Sequence, residues 1–277
     1  SFDALHYGAV EVMRKPNMDA FNDSQYVDTF VETIRSVAKS TTKMRKNHGE
    51  TAQARQRWGK QQEQTTRQAE MKKNAPSRRR RPAPPPSGAS FDALVIGAST
   101  GGPIAVKEVL RKLPADFPVG IALVQHIEDR FDTGYAEWLN DECDIEVRIA
   151  EQEDVFEPGV VKVAPGNRHL VCRRTRLYHD DGPKFENQKP SVNKLFESSA
   201  ECFGDRLLGV LLTGMGSDGG RGCLRIREAG GYTVVQDKET SLIYGMPKAA
   251  VESGGASVVL GLDEIGPYVV DLVKKNG

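Results

Sequence analysis

Residues 93–102 read ALVIGASTGG, an unbroken apolar run that stops in Gly-Ala-Ser-Thr-Gly-Gly. A short run with no polar alternation fits a strand covered on both faces, as in a parallel sheet clad by helices. The segment that follows, PIAVKEVLRKL (103–113), has helical spacing, so the glycines lie in a tight strand-to-helix turn.

Working outward, the same alternation recurs. GIALVQHI (120–127) is strand-like and TGYAEWLNDE helical, and EVRIAE (146–151) is a third strand candidate. VVKVAPGNRHLVCRRTRLYH (160–179) alternates like a hairpin, with its turn expected near Pro165-Gly166. Then come helical SVNKLFESSAECF, strand LLGVLLTG (207–214), helical RGCLRIREAG, strand YTVVQD and a helix near 247–253. SVVLG and a helix in EIGPYVVDLVKK close the chain. This pattern predicts an α/β fold: a doubly wound, mostly parallel sheet with a β-hairpin insertion. Ligands of such sheets sit at the carboxyl ends of the strands, so the chemistry is expected there.

Upstream of residue 90 the character changes. Residues 41–89 include KKNAPSRRRRPAPPPSG and almost no aliphatic side chains, too little apolar surface to offset conformational entropy; they read as a charged, Pro-rich linker. Residues 1–40 contain HYGAVEVMRKPN and a helical pattern over 19–39, with Phe21, Val27, Phe30, Val31, Ile34 and Val37 on one stripe. Forty residues are too few for a core of their own, so this piece is expected to dock or to belong to a larger domain. The expected organisation is therefore 1–40, a linker over 41–89, and a catalytic domain over 90–277.

Composition narrows the function classes. With 38 basic and 38 acidic side chains there is no net charge to signal nucleic acid. No apolar stretch reaches membrane-span length and no signal-peptide layout is visible. Cys143, Cys172, Cys202 and Cys223 form no C-x-x-C pair, which fits free thiols in a reducing cytoplasm and predicts neither disulfides nor a metal site.

The glycine turn has two chemical readings. A P-loop needs a lysine that is absent before Lys107, and the dinucleotide fingerprint needs a glycine spacing and a second-strand acid that are also absent, so no nucleotide cofactor is expected. Gly97-Ala98-Ser99-Thr100-Gly101 instead satisfies G-x-S-x-G between a strand and a helix, the setting of an exposed nucleophilic serine. The bland alternative is a serine that merely caps the helix. A nucleophile needs a base and the base an orienting acid. His126 ends the second strand on the same sheet edge as Ser99. For the acid, Asp218 in TGMGSDGG is favoured, with Asp237 and Glu151 as alternatives.

Together, VIGASTGGP, VQHI, KVAPGNRHL, DGP, KPSVNKLFES, GVLLTGMGSDGGRG and YGMPKAAVESGG resemble, in order, the catalytic domain of the chemotaxis protein-glutamate methylesterase (CheB) family, over roughly residues 91–275. The resemblance implies hydrolysis of γ-glutamyl methyl esters on methylated chemoreceptors, releasing methanol, with glutamine deamidation as a sister activity. It implies Ser99 as nucleophile, His126 as general base and acid, and Asp218 as orienting carboxylate. The backbone N–H of Met215 is implied as an oxyanion donor, and Thr100 is a candidate contact beside the nucleophile. The alternative is a catalytically idle adaptor that binds chemoreceptors or a chemotaxis histidine kinase through the same surface. The sequence departs from the family after VQH, where Ile127-Glu128-Asp129-Arg130-Phe131-Asp132 replaces the usual Met-Pro-x-x-Phe-Thr, and before KPSVN, where FENQ stands in place of basic residues. ALHYGAVEVMRKP resembles the last strand of a response-regulator receiver, with Lys15-Pro16 at its end. No phosphoacceptor aspartate lies upstream of it in this sequence, so no phosphorylation control is expected from this polypeptide.

Overall fold

The computed structural model of the chain describes residues 90–127 and 130–274, together with isolated positions among the first forty. The expected linker, Lys15-Pro16, and Glu128-Asp129 lie outside the described residues. Within the early segment, Val27, Phe30, Val31, Thr33, Ile34, Arg35, Val37 and Ala38 are helical. The expected stripe needs one correction: Ile34 is exposed and Thr33 buried, while Val27, Phe30, Val31 and Val37 are half-buried and Phe21 lies outside the described residues.

From residue 93 onward strands and helices alternate. The strands are β1 (Ala93–Ala98), β2 (Gly120–Gln125), β3 (Glu146–Ile149), β4 (Asp154–Val155), β5 (Val160–Val163), β6 (His169–Arg173), β7 (Arg176–Asp180), β8 (Leu207–Leu211), β9 (Tyr232–Gln236) and β10 (Val258–Leu260). The helices are α1 (Gly102–Leu110), α2 (Asp132–Glu142), α3 (Val192–Phe203), α4 (Gly220–Glu228), α5 (Met246–Glu252) and α6 (Leu262–Lys274). Seven strands form a wholly parallel sheet in the order β10-β9-β8-β1-β2-β5-β3, and β4, β7 and β6 form a small antiparallel sheet.

The unbroken apolar runs are explained by two cores, one on each face of the sheet. Leu94, Ile96 and Ala98 of β1 pack with Val106, Val109 and Leu110 of α1 and with α2 and α6. Ala93 and Val95, which point the other way, pack with Leu195 and Phe196 of α3 and with α4 and α5. β2 and β8 alternate in the same manner, so every position in these strands is inside.

The expected hairpin turn at Pro165-Gly166 is corrected. Val160–Val163 is not a hairpin arm but a parallel strand between β2 and β3, and the hairpin is β6–β7, turning at Arg174-Thr175 in the left-handed region. The alternating pattern of VVKV misled because Lys162 is fully buried, not solvent-facing; its Nζ lies 2.8 Å from Asp154 Oδ1 and 3.4 Å from Glu157 Oε2. Strand order reverses around β1, which pairs with β2 on one side and β8 on the other. The crevice where connections diverge therefore opens at the ends of β1, β2 and β8.

Candidate active site

Ser99, His126 and Asp218 come to this crevice by three routes. Ser99 follows β1 directly, and its N–H donates to Thr213 O beyond β8 at 3.0 Å. The register of β1 against β2 pairs Ala98 with Gln125, so His126 emerges beside Ser99, and its N–H donates to Ala98 O at 3.0 Å. Asp218 lies in the loop between β8 and α4. Two glycines allow the close approach. A Cβ on Gly214 would stand 2.8 Å from Ser99 Cβ, and one on Gly97 would stand 2.3 Å from Val192 Cγ1, where α3 begins.

His126 Nε2 is 2.8 Å from Asp218 Oδ2, and both side chains are nearly buried, at 7% and 4% exposure. The neutral imidazole that makes this bond carries its proton on Nε2 and leaves the Nδ1 lone pair as the base. That reverses the assignment usual in serine proteases, where Nδ1 faces the acid. Nδ1 is buried and has no hydrogen-bond partner among the described residues, so Ser99 Oγ is not bonded to it. Catalytic hydrogen bonds are often open without substrate and tighten when it arrives.

Asp218 is held from every side. Its Oδ1 accepts from Ser191 Oγ at 2.9 Å and Asn193 N at 2.8 Å, and its Oδ2 from Val192 N at 2.7 Å as well as from His126. The first turn of α3 thus presents its unpaired N–H groups, and the positive end of its dipole, to the carboxylate. Burial opposes ionisation of Asp218. The hydrogen bond donated by His126 and the backbone donors Asn193 and Val192 outweigh that penalty and hold the carboxyl below its ordinary range. Of the three acids weighed, only Asp218 meets His126. Asp237 caps its own loop through Thr240, and Glu151 is exposed, its N–H donating to Asp154.

Thr100 and Met215 flank the site. Thr100 O accepts from Thr213 Oγ1 at 3.0 Å, which ties the turn after β1 to the segment after β8. Met215 follows Gly214, itself against Ser99, and is partly exposed. Several residues went unnamed at the sequence level. Gln125 is buried and its Nε2 donates to Ser99 O at 2.8 Å and His126 O at 3.2 Å, bracing both residues together. Asn193 Oδ1 accepts from Gly219 N and Gly222 N, tying the start of α3 to the loop that carries Asp218. Ser191 and His169 lie behind the acid. Only Ser191 had a local signal, a serine immediately before a helical run, the usual N-cap position.

With this geometry in hand, the chain can be compared with known proteins. Residues 94–269 match the family model described as CheB methylesterase. A protein-glutamate methylesterase/protein-glutamine glutaminase 2 of Anaeromyxobacter dehalogenans is 48% identical over 188 residues, covering 68% of this chain and 55% of that protein. The protein-glutamate methylesterase FrzG of Myxococcus xanthus is 42% identical, covering 76% and 63%. A protein-glutamate methylesterase/protein-glutamine glutaminase 2 of Rhizobium johnstonii is 37% identical, and that alignment takes in 96% of this chain and 72% of the relative. The crystal structure of the Thermotoga maritima CheB methylesterase catalytic domain superposes with a TM-score of 0.64 at 34% identity, over 66% of this chain and all of that one. The chain spans little more than half the length of several curated relatives.

Proposed function

The chain belongs to the CheB methylesterase family, and from that membership we propose that it is a serine ester hydrolase. Its substrates are γ-glutamyl methyl esters of chemoreceptors, with deamidation of the matching glutamines as a second reaction. Residues 90–277 are the catalytic unit, 41–89 a linker and 1–40 a receiver-like element. The Rhizobium johnstonii relative, whose alignment takes in 96% of the chain, favours extending the kinship upstream of residue 94. The protein works on the cytoplasmic side of the membrane. No helix among the described residues is long and apolar enough to cross a membrane.

The observation that carries the proposal is the hydrogen bond from His126 to a carboxylate held ionised, at the strand edge where Ser99 emerges. In the reaction Ser99 Oγ attacks the γ-carbonyl carbon and its proton passes to His126 Nδ1. Asp218 holds the ring and stabilises the imidazolium without taking the proton. The carbonyl oxygen becomes an oxyanion that accepts from backbone N–H groups, with Met215 as one donor and the turn at Thr100 as the other candidate. Collapse of the tetrahedral intermediate breaks the bond to the methoxy oxygen, which leaves as methanol with the proton from His126. Water then enters by the same route in reverse, giving glutamate and free Ser99.

The test is methanol release from methylated chemoreceptor membranes by the chain and by its Ser99→Ala form. Release that disappears in the variant supports the proposal. Release that persists in Ser99→Ala, or no release from the wild type, refutes it, the second result favouring the adaptor.

A further inference from the structure

Behind Asp218 lies a second hydrogen-bonded chain that the mechanism above does not use. His169 is completely buried at the start of β6. Its Nε2 lies 2.9 Å from Pro183 O, which only accepts, and its Nδ1 lies 3.2 Å from Ser191 N, which only donates. These partners fix the ring with its proton on Nε2 and its lone pair on Nδ1. The ring thereby anchors the backbone of Ser191, also completely buried, to the loop that precedes α3. Ser191 is the N-cap of that helix, and its hydroxyl stands between two neighbours. It accepts from Lys194 N at 3.4 Å and donates to Asp218 Oδ1 at 2.9 Å. A cap hydroxyl needs only to accept, so the donation to Asp218 is additional to capping.

We propose that Ser191, held by His169, is a positioning residue of the catalytic site: its hydroxyl proton fixes the rotation of the Asp218 carboxylate that orients His126. The inference rests on the triad reading given under Proposed function. A carboxylate free to turn about its Cβ–Cγ bond swings its plane, and with it the lone pair that His126 needs, away from the ring. Val192 N donates to Oδ2 and Asn193 N to Oδ1, and the Ser191 hydroxyl adds a second donor to Oδ1 that holds the plane of the group. Oδ2 then remains aimed at the ring. Asn193 supports the same arrangement from the backbone, whereas Ser191 does so with a group that one substitution removes.

The experiment compares the full chain with its Ser191→Ala and Ser191→Thr forms by proton NMR. It follows the far-downfield resonance of the His126 Nε2–H, assigned by its loss in His126→Gln. Removing the hydroxyl moves that resonance or broadens it away, while Ser191→Thr, which keeps the hydroxyl, retains it. Loss of the cap alone lowers the melting temperature and leaves the resonance in place. An unmoved resonance in Ser191→Ala, or an equal displacement in both variants, overturns the proposal. This readout needs no turnover, so it stands apart from methanol release, whose absence in the wild type counts against the proposed function instead. Where the wild type does release methanol, Ser191→Ala lowers kcat about tenfold with KM unchanged, the scale of one charge-assisted hydrogen bond.

Discussion

Asp154 and Asp218 show how the same side chain serves two purposes in one molecule. Both are disfavoured by burial and both are nevertheless held below the ordinary carboxylate value of 3.8 by hydrogen-bond donors and positive charge. Asp218 aims His126, whereas Asp154 neutralises Lys162, whose ammonium has no access to water. A carboxylate depressed in the folded state stabilises the fold above its unfolded value, and that contribution disappears as pH falls through the folded value. The melting temperature is therefore expected to hold near neutrality and to decline once pH drops below about 4. Asp154→Asn leaves the buried ammonium with only the more distant Glu157 and should cost about 3 kcal/mol at pH 7. Lys162→Met removes both the charge and its need for a partner, so it should be close to neutral at pH 7 and should flatten the acid decline. Thermal unfolding of the three proteins between pH 3 and pH 7 checks this. Equal losses in the two variants would mean that the pair acts through packing rather than charge.

At the scale of elements, the site is made by the meeting of β1, α3 and the loop after β8, and Gly97 sets how closely they meet. A methyl group there would collide with Val192 Cγ1 at 2.3 Å and Leu211 Cδ1 at 3.2 Å, so α3 would have to retreat. Because Val192 N is one of the donors to Asp218, the retreat also loosens the acid. Gly97→Ala is expected to cost about 1–3 kcal/mol in stability from overpacking, and to reduce methanol release further than that loss explains at a temperature where the variant is fully folded. Denaturant unfolding beside a rate measurement separates the two effects. The elements themselves were legible in the sequence wherever burial was two-sided, because β1, β2 and β8 have no solvent-facing residue to interrupt their apolar runs. Reading failed at β5, where buried Lys162 imitated an exposed position. Ser99 and His126 were legible because each follows a strand and strand ends share an edge; that rule left Asp237 and Glu151 beside Asp218, which the glycine-rich loop and the family resemblance favoured. Ser191, His169 and Gln125 act through contacts 22 to 27 positions apart that no local pattern announces.

For the whole molecule, the crevice belongs to a broad edge rather than to a closed pocket. The seven strands are parallel, so their carboxyl ends share this edge, and Ser99 and His126 sit where the connections diverge. Asn167 and Arg168 after β5, and Asp181, Lys184 and Glu186 after β7, are all exposed and would offer a large partner a surface of mixed charge. A glutamyl ester borne on a receptor helix would touch that surface along its length, whereas a small free ester would touch only the groups near Ser99. Contacts remote from the scissile bond help catalysis when they hold the carbonyl in the geometry of the transition state. Nδ1 of His126 has no hydrogen-bond partner among the described residues, so contacts that draw Ser99 onto it would assist this step. A methylated receptor should therefore exceed a small glutamyl methyl ester in kcat/KM by at least about a hundredfold, with part of the difference in kcat. Methanol release measured over a range of both substrates decides it. Equal values would mean that the site is already assembled without that surface, and that the groups around Ser99 alone select the substrate.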